Sequence, residues 1–349
     1  MKPVEISGRM VGPGEPCLLI AEAGVNHNGS LERAQGLVEA AAAAGTDAVK
    51  FQTFKAEDVV SPSAPKAGYQ KETTGGDESQ LDMLKHLALP DDAFQSLYAE
   101  CQSKGVLFLS TPFDEGSVDL LDALGVAAFK VPSGEITNLP FLSHIARRGR
   151  PLILSTGMAT LEEVESALRT VRSAGNRDLI LLHCVSRYPA PPSAANLRAM
   201  HTLAAAFDVP VGYSDHTLGI EVSLAAVALG ACVIEKHFTL DKGLPGPDHR
   251  ASVEPEEMAA LVRGMRRVEA ALGHGRKEPD PGEEEIAAVA RKSLVAARDI
   301  SAGTILSEDL VTIRRPGTGL LPAMRPQLIG RRVRCDIAAG DLLSLEQVN

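Results

Sequence analysis

Apolar positions in this chain gather into eight short blocks between residues 17 and 239. They are CLLIAE (17–22), DAVKFQT (47–53), VLFLSTP (106–112), AAFKVPS (127–133), PLILSTG (151–157), LILLHCVS (179–186), VPVGYSDH (209–216) and CVIEKHFT (232–239). Each is strand-like, and nearly every one ends in a polar group able to do chemistry. Between them the pattern changes to amphipathic helices over 31–44, 91–104, 115–124, 161–173 and 255–271. Ser30 leads into the first helix, and Thr160 followed by Glu163 has the spacing of a capping box. Eight such alternations predict an α/β fold, a (β/α)8 TIM barrel, with its active site at the C-terminal ends of the strands.

Two stretches break the rhythm. Residues 54–80 read as one long βα loop on the catalytic rim, where loops of that length serve as lids. Barrel periodicity ends near Leu272, and GHGRKEPDPGEEE (273–285) reads as a linker. The expected division is a barrel over 1–272, a linker over 273–290 and a small β-rich domain over 291–349. That last segment repeats itself: ARDISAGTILSEDLV (297–311) is similar to RCDIAAGDLLSLEQV (334–348), each with a D-I-x-A-G element. Gly303 and Gly340 supply its turn geometry. Some sixty residues bury little by themselves, so the tail is expected to dock on the barrel or on a partner subunit.

Charge narrows the choice of ligand. With 35 Lys and Arg against 45 Asp and Glu the net charge is −10, which excludes non-specific nucleic-acid binding. An anionic substrate has to be held by locally clustered cations. The longest apolar run, Val222 to Ile234, is 13 residues and too short for a bilayer, and MKPVEISGRM lacks a signal-like apolar core. Five cysteines without a CxxC pair suggest neither a disulfide frame nor a thiolate zinc site. Cytoplasmic location is the expectation.

Three constellations carry chemistry. His216 and His237 close the seventh and eighth strand blocks, on neighbouring strands of one rim, sharing side-chain parity with Ser214 and Glu235. Two neutral imidazoles with open positions suit a catalytic divalent metal; general acid/base work or packing are the other readings. Lys50 and Lys130, beside Thr111, Ser133, Ser155, Thr156, Ser186 and Ser214, suit a phosphate or carboxylate cradle. Lys236 adjoins His237 but has the opposite parity. Glu22, Glu135 and Asp248 place carboxylates near the same rim.

These residues stand in motifs that resemble the sialic acid synthase (N-acetylneuraminate synthase) family across essentially the whole chain. Among them are AEAGVNHNGS (21–30), KFQTF (50–54), ESQLDMLK (78–85), KVPSGE (130–135), LLHCVSRYPAPP (181–192), GYSDHT (212–217), EKHFTLD (235–241), PGPDHR (245–250) and RRPGTG (314–319). The resemblance implies a barrel followed by an antifreeze-like SAF domain. It implies condensation of phosphoenolpyruvate with N-acetylmannosamine and water, giving N-acetylneuraminate and phosphate. A 6-deoxy-2,4-diacetamido sugar, leading to legionaminate or pseudaminate, is the alternative acceptor.

By the same resemblance His216 and His237 hold a divalent metal, usually Mn2+, with Mg2+ or Co2+ as alternatives. Lys50, Thr111, Lys130, Ser133, Ser155, Ser186 and Ser214 match the phosphoenolpyruvate-binding positions. Gln52, Tyr188, Asp248 and Arg315 match the sugar-contacting ones. Glu22, Glu135 and Lys50 stand at the reacting carbons, with Glu135 as the carboxylate expected to activate water. Arg315 lies in the tail, which implies a domain-swapped homodimer whose tail caps the partner's active site. Some relatives carry asparagine where this chain has Ser186.

Two other classes of function deserve comparison. A barrel lysine also suits Schiff-base aldol chemistry on pyruvate. An ice-binding surface would need a flat, regular threonine face, and the tail has only Thr304, Thr312 and Thr318, without such spacing.

Overall fold

The computed structural model describes residues 1–75 and 78–349 and divides the chain into two compact units, Met1–Gly273 and His274–Asn349. Residues 76–77, within the expected loop over 54–80, lie outside the described residues.

The first unit opens with a hairpin absent from the expectation, β1 (Val4–Ile6) paired antiparallel with β2 (Arg9–Val11). The eight expected strands follow as β3 (Leu18–Gly24), β4 (Ala48–Thr53), β5 (Leu107–Pro112), β6 (Phe129–Val131), β7 (Leu152–Ser155), β8 (Leu179–Cys184), β9 (Val211–Asp215) and β10 (Val233–His237). All are parallel, in the order β5-β4-β3-β10-β9-β8-β7-β6, and β5 lies against β6. The barrel is thus nearly closed, its two end strands packed side by side.

Helices form the outer ring: α1 (Leu31–Ala44), α2 (Ala56–Val59), α3 (Gly68–Thr74), α4 (Gln80–Leu87), α5 (Asp91–Lys104), α6 (Glu115–Leu124), α7 (Leu139–Ala146), α8 (Leu161–Ser173), α9 (Ala199–Phe207), α10 (Glu221–Ala228) and α11 (Pro255–Leu272). The apolar stripes of α1 and α5–α11 meet alternate strand residues in one continuous core, whereas α2, α3 and α4 belong to the segment after β4, where Met83 and Leu87 of α4 cluster with Val25 and Phe54. The other strand face fills the barrel interior with Leu18, Ile20, Leu109, Ile153, Ile180, Leu182 and Val233. Val4, Ile6 and Val11 of the hairpin join that inner cluster, so β1 and β2 plug the end of the barrel away from the catalytic rim.

Residues 54–80 differ from the expected loop, because α2, α3 and the first residue of α4 lie within them. Helix α3 has no buried residue, which explains why no apolar stripe announces it. Polar bonds hold it instead: Gln70 Oε1 accepts from the Ala67 N–H, and buried Lys66 Nζ donates to Thr74 Oγ1, the Gly75 carbonyl and Glu78 Oε2.

In the second unit, helix α12 (Glu284–Ala290) occupies part of the expected linker and precedes the antiparallel pair β11 (Ser293–Ala296) and β12 (Val311–Arg314). The sequence repeat folds as two halves that exchange bonds. Ile300 and Ile337 pair through two backbone hydrogen bonds, both 2.8 Å. Asp299 accepts from the Ala339 N–H and Asp336 from the Ala302 N–H, each at 2.7 Å. Gly303 and Gly340, with φ of 85° and 92°, donate to the Val333 and Ala296 carbonyls. Ile300, Leu306, Val333, Ile337 and Leu343 lie in the shared core.

Candidate active site

A cavity of about 400 Å³ opens at the C-terminal ends of the barrel strands. Register brings its charged groups together: His237 lies beside Glu22, and Glu22 beside Lys50, on three adjacent strands. Lys50 Nζ is 2.6 Å from Glu22 Oε2, donates to Thr111 Oγ1 at 2.9 Å, and stands 3.9 Å from Glu235 Oε2. Lys130 Nζ approaches Glu235 Oε1 to 3.5 Å, and Ser214 Oγ donates to the same oxygen at 3.2 Å. All these side chains are buried.

Burial has different consequences for the two central carboxyls. Desolvation lifts Glu22 to about 7, overriding the attraction of Lys50. Glu235 suffers the same desolvation, but Lys130 and Lys50 outweigh it and hold the group below the usual carboxylate range. Glu235 is thus the fixed anion that tethers both lysines. Desolvation also lowers Lys130 and raises Asp248 to about 6.

The imidazoles of His216 and His237 stand with ring centroids 5.4 Å apart. His216 Nδ1 bonds the Val185 carbonyl at 2.7 Å, which leaves Nε2 as the lone-pair nitrogen. Desolvation lowers both histidines, His237 well below its ordinary value, so both are neutral at physiological pH, the form that binds metals. Among the described residues, Ser155 Oγ, Glu235 Oε2 and His237 Nδ1 are buried without a hydrogen-bond partner. Orphaned buried groups at one mouth are consistent with ligand contacts. No group of three or more His, Cys, Asp and Glu side chains arranged for a metal occurs among the described residues. The pair of imidazoles fits a site completed by substrate or water oxygens.

Beside this mouth is a cradle of small groups. The Gly157 N–H donates to Ser133 Oγ at 2.9 Å, and Ser133 Oγ is 3.3 Å from Cys184 Sγ. A Cβ on residue 157 would collide with Ser133, Cys184 and Ser186, so only glycine leaves this space open. Tyr188 covers the imidazoles, 4.1 Å from the His216 ring and 5.6 Å from that of His237. Gln52 Nε2 reaches Glu22 Oε1 at 3.4 Å, and Asp248 Oδ2 is 4.0 Å from His237 Nδ1.

The site thus gathers Glu22, Lys50, Gln52, Thr111, Lys130, Ser133, Ser155, Ser186, Tyr188, Ser214, His216, His237 and Asp248 around one cavity. Of the two remaining expected residues, one belongs to the barrel unit and one to the second unit. Glu135, expected to activate water, sits on the short turn Ser133–Glu135 after β6, accepts from Asn138 Nδ2 at 2.7 Å and is not among the residues lining the cavity. Arg315 belongs to the second unit, where its Nε donates to the Ala290 carbonyl at 3.1 Å.

Sequence patterns underrated four contributors. Glu235 had the right parity, but its bridging of two lysines is a tertiary fact. Tyr69 on α3 stacks on Tyr188 at 5.1 Å, from a helix with no apolar signal. Asn28 and His249 organise the loop carrying Asp248: His249 bonds Thr239 Oγ1 at 2.7 Å, while Asn28 Nδ2 donates to the Pro245 carbonyl at 2.7 Å.

Fold and mouth together define a barrel synthase. The chain belongs to the NeuB family of phosphoenolpyruvate-dependent condensing transferases: residues 37–277 match that family and residues 291–349 match the SAF domain. It is 49% identical to the N,N'-diacetyllegionaminic acid synthase of Legionella pneumophila, over 97% of this chain and 96% of that one. It is 51% identical to the enzyme of the same name from Campylobacter jejuni, over 90% and 95% of the two chains. Among solved structures, the N-acetylneuraminic acid synthetase of Leptospira borgpetersenii is 37% identical, with a TM-score of 0.72 over 82% of this chain and 95% of that one. No described helix is long and apolar enough to cross a membrane.

Proposed function

We propose that this protein condenses phosphoenolpyruvate with a 6-deoxy-2,4-diacetamido-mannose sugar and water, forming N,N'-diacetyllegionaminate and phosphate. The observation that carries the choice of sugar is an apolar cluster in the cavity lining. Val25, Phe54, Val59, Met83, Leu84, Leu87 and Phe113 form it. A 6-methyl group and the methyl of a second acetamide suit such a cluster better than the free hydroxyls of N-acetylmannosamine. Lys50 and Lys130 are the lysines of the cavity lining, and no arginine joins them among the described residues. Within this lining a 6-phosphorylated sugar would find no cation beyond the two lysines assigned to phosphoenolpyruvate. The higher identity to the two legionaminic acid synthases points the same way.

In this mechanism Lys50, Lys130 and the hydroxyls of Thr111, Ser133, Ser155, Ser186 and Ser214 hold the phosphoenolpyruvate anion. Gln52, Tyr188 and Asp248 orient the open-chain sugar. His216 and His237 would hold a divalent cation, Mn2+ being the first to test, with Mg2+ and Co2+ next. When bound, such a cation supplies Lewis acidity toward the sugar's carbonyl oxygen. Carbon 3 of phosphoenolpyruvate attacks carbon 1 of the sugar, and carbon 2 takes on positive character. Glu22, lifted to about 7, accepts a proton from the water that adds at carbon 2. The C–O bond to phosphate then breaks with its electron pair leaving on phosphate, the carbon 2 hydroxyl gives up its proton to form the 2-keto acid, and the former carbonyl oxygen of the sugar takes up a proton to become a hydroxyl. Arg315 reaches the sugar from the partner chain of a swapped homodimer, a role supported by its RRPGTG motif.

The test is phosphate release by Mn2+-loaded enzyme supplied with phosphoenolpyruvate and each sugar in turn. The expected kcat/KM is at least tenfold higher for the diacetamido sugar. A preference for N-acetylmannosamine returns the assignment to N-acetylneuraminate synthesis. Borohydride-trapped substrate on a lysine, with no response to EDTA, would replace it with Schiff-base aldol chemistry.

A further inference from the structure

Lys236 is the one strand-end lysine of the rim that the mechanism leaves unused. It precedes His237 on β10 and lies directly across from Asp215 of β9 in the parallel register. Both side chains are fully inaccessible and point away from the cavity. Lys236 Nζ donates to Asp215 Oδ2 at 2.8 Å and to the Thr217 carbonyl at 2.5 Å. Asp215 Oδ1 accepts from the Thr217 N–H at 2.9 Å and from its hydroxyl at 2.8 Å, while Oδ2 also accepts from Ser223 Oγ on α10 at 2.6 Å.

This network encloses His216. Asp215 and Thr217 flank it in sequence, and one ammonium grips both. The same ammonium belongs to the residue before His237, so a single ion pair ties together the two backbone segments that carry the imidazoles. Their anchoring otherwise differs. His216 has its own ring bond to the Val185 carbonyl, whereas His237 Nδ1 has no hydrogen-bond partner and its nearest carboxylate, Asp248, is 4.0 Å away. The position of His237 relative to His216 therefore depends on strand register.

Stability does not account for the pair. Desolvating two charges costs several kcal/mol per ion, and well-packed apolar replacements of buried pairs are often neutral or stabilising. What the ion pair adds is a side-chain tie between β9 and β10 at Lys236 and Asp215, where their backbone ladder ends just before the two histidines.

We propose that Lys236 and Asp215 are positioning residues that set the separation of His216 and His237, and through it the affinity of the pair for a divalent cation. This rests on the assignment of the two histidines as ligands. The experiment is Mn2+ titration of metal-stripped full-length enzyme without substrates, followed by electron paramagnetic resonance, with thermal unfolding in parallel. In the double variant Asp215→Asn/Lys236→Met, where no unpaired charge remains, the Mn2+ Kd should rise about ten- to a hundredfold, the range for outer partners of metal ligands. The spectrum of bound Mn2+ should change, and saturating Mn2+ should restore kcat while the metal requirement stays raised. Ser223→Ala, which loosens Asp215 without stranding a charge, should raise Kd less and keeps the test open if the double variant does not fold. Wild-type affinity and spectrum in folded variants would overturn the proposal. Failure of the wild type to bind Mn2+, or undiminished binding by His237→Gln, would instead overturn the ligand assignment and the proposal with it.

Discussion

Gly157→Ala should separate the phosphoenolpyruvate cradle from the rest of the site. The new Cβ would lie 2.8 Å from both Ser133 Oγ and Cys184 Sγ, and closer still to Ser186 Oγ. Ordinary contact distances are about 3.5 Å, so each neighbour must withdraw by roughly 0.7 Å or more. Overpacking of this kind costs about 1–3 kcal/mol. Residue 157 does not have a positive φ, so alanine itself fits the backbone and the strain falls on the three side chains. Two of them are hydroxyls assigned to the substrate anion. A displaced hydroxyl that no longer reaches a charged oxygen loses about 1.5–3 kcal/mol, which raises the KM for phosphoenolpyruvate by about ten- to a hundredfold. The KM for the sugar should stay within about threefold, and the Tm should fall by a few degrees. Steady-state phosphate release, with each substrate varied at saturation of the other, reads both constants. Adding Ser186→Gly should recover Tm, because it opens the tightest contact, but not the KM for phosphoenolpyruvate. A lowered Tm with an unchanged KM for phosphoenolpyruvate would refute the placement of the anion in this cradle.

The raised Glu22 makes a pH prediction. Its carboxyl stays protonated up to about 7, so a base role requires kcat to fall about tenfold per unit below that pH and to level off above it. Glu22→Gln should be slow at pH 8 and lose that acid limb; an unchanged limb in the variant would show that another group titrates. Arg315 permits a complementation test of the swapped dimer. Co-expressed Arg315→Ala and Glu22→Gln chains should regain about a quarter of wild-type activity, since half of the dimers are mixed and each has one intact composite site. Activity no greater than the average of the two parent variants would rule out sharing between chains.

Sequence reached far into this fold because a buried parallel strand is a near-continuous apolar run, and eight of them leave few architectures. Parity then decided which end residues face the mouth: Ser214, His216, Glu235 and His237 on one side, Asp215 and Lys236 on the other. What escaped was held by polar or long-range contacts. Helix α3 is fixed by Lys66 and Gln70 rather than by an apolar stripe. The hairpin plug offers only Val4, Ile6 and Val11, too short a pattern to read before the barrel floor exists. Glu135 sits close enough in sequence to Ser133 to be assigned to the same mouth, yet one tight turn carries it toward Asn138. Glu22 and Glu235 are chemically identical in sequence, and only their tertiary surroundings separate them: desolvation and the charge of Glu235 raise Glu22, while Lys130, Lys50, His216 and the Ser214 hydroxyl lower Glu235.

The reciprocal aspartates of the tail bear on how such a unit can change over time. Asp299 is needed by the copy that contains Ala339, and Asp336 by the copy that contains Ala302. Damage to one half is therefore felt in the other, and neither can drift or be trimmed independently. The duplication visible in the sequence is thus a mutual obligation, which preserves the two D-I-x-A-G signatures as a matched set.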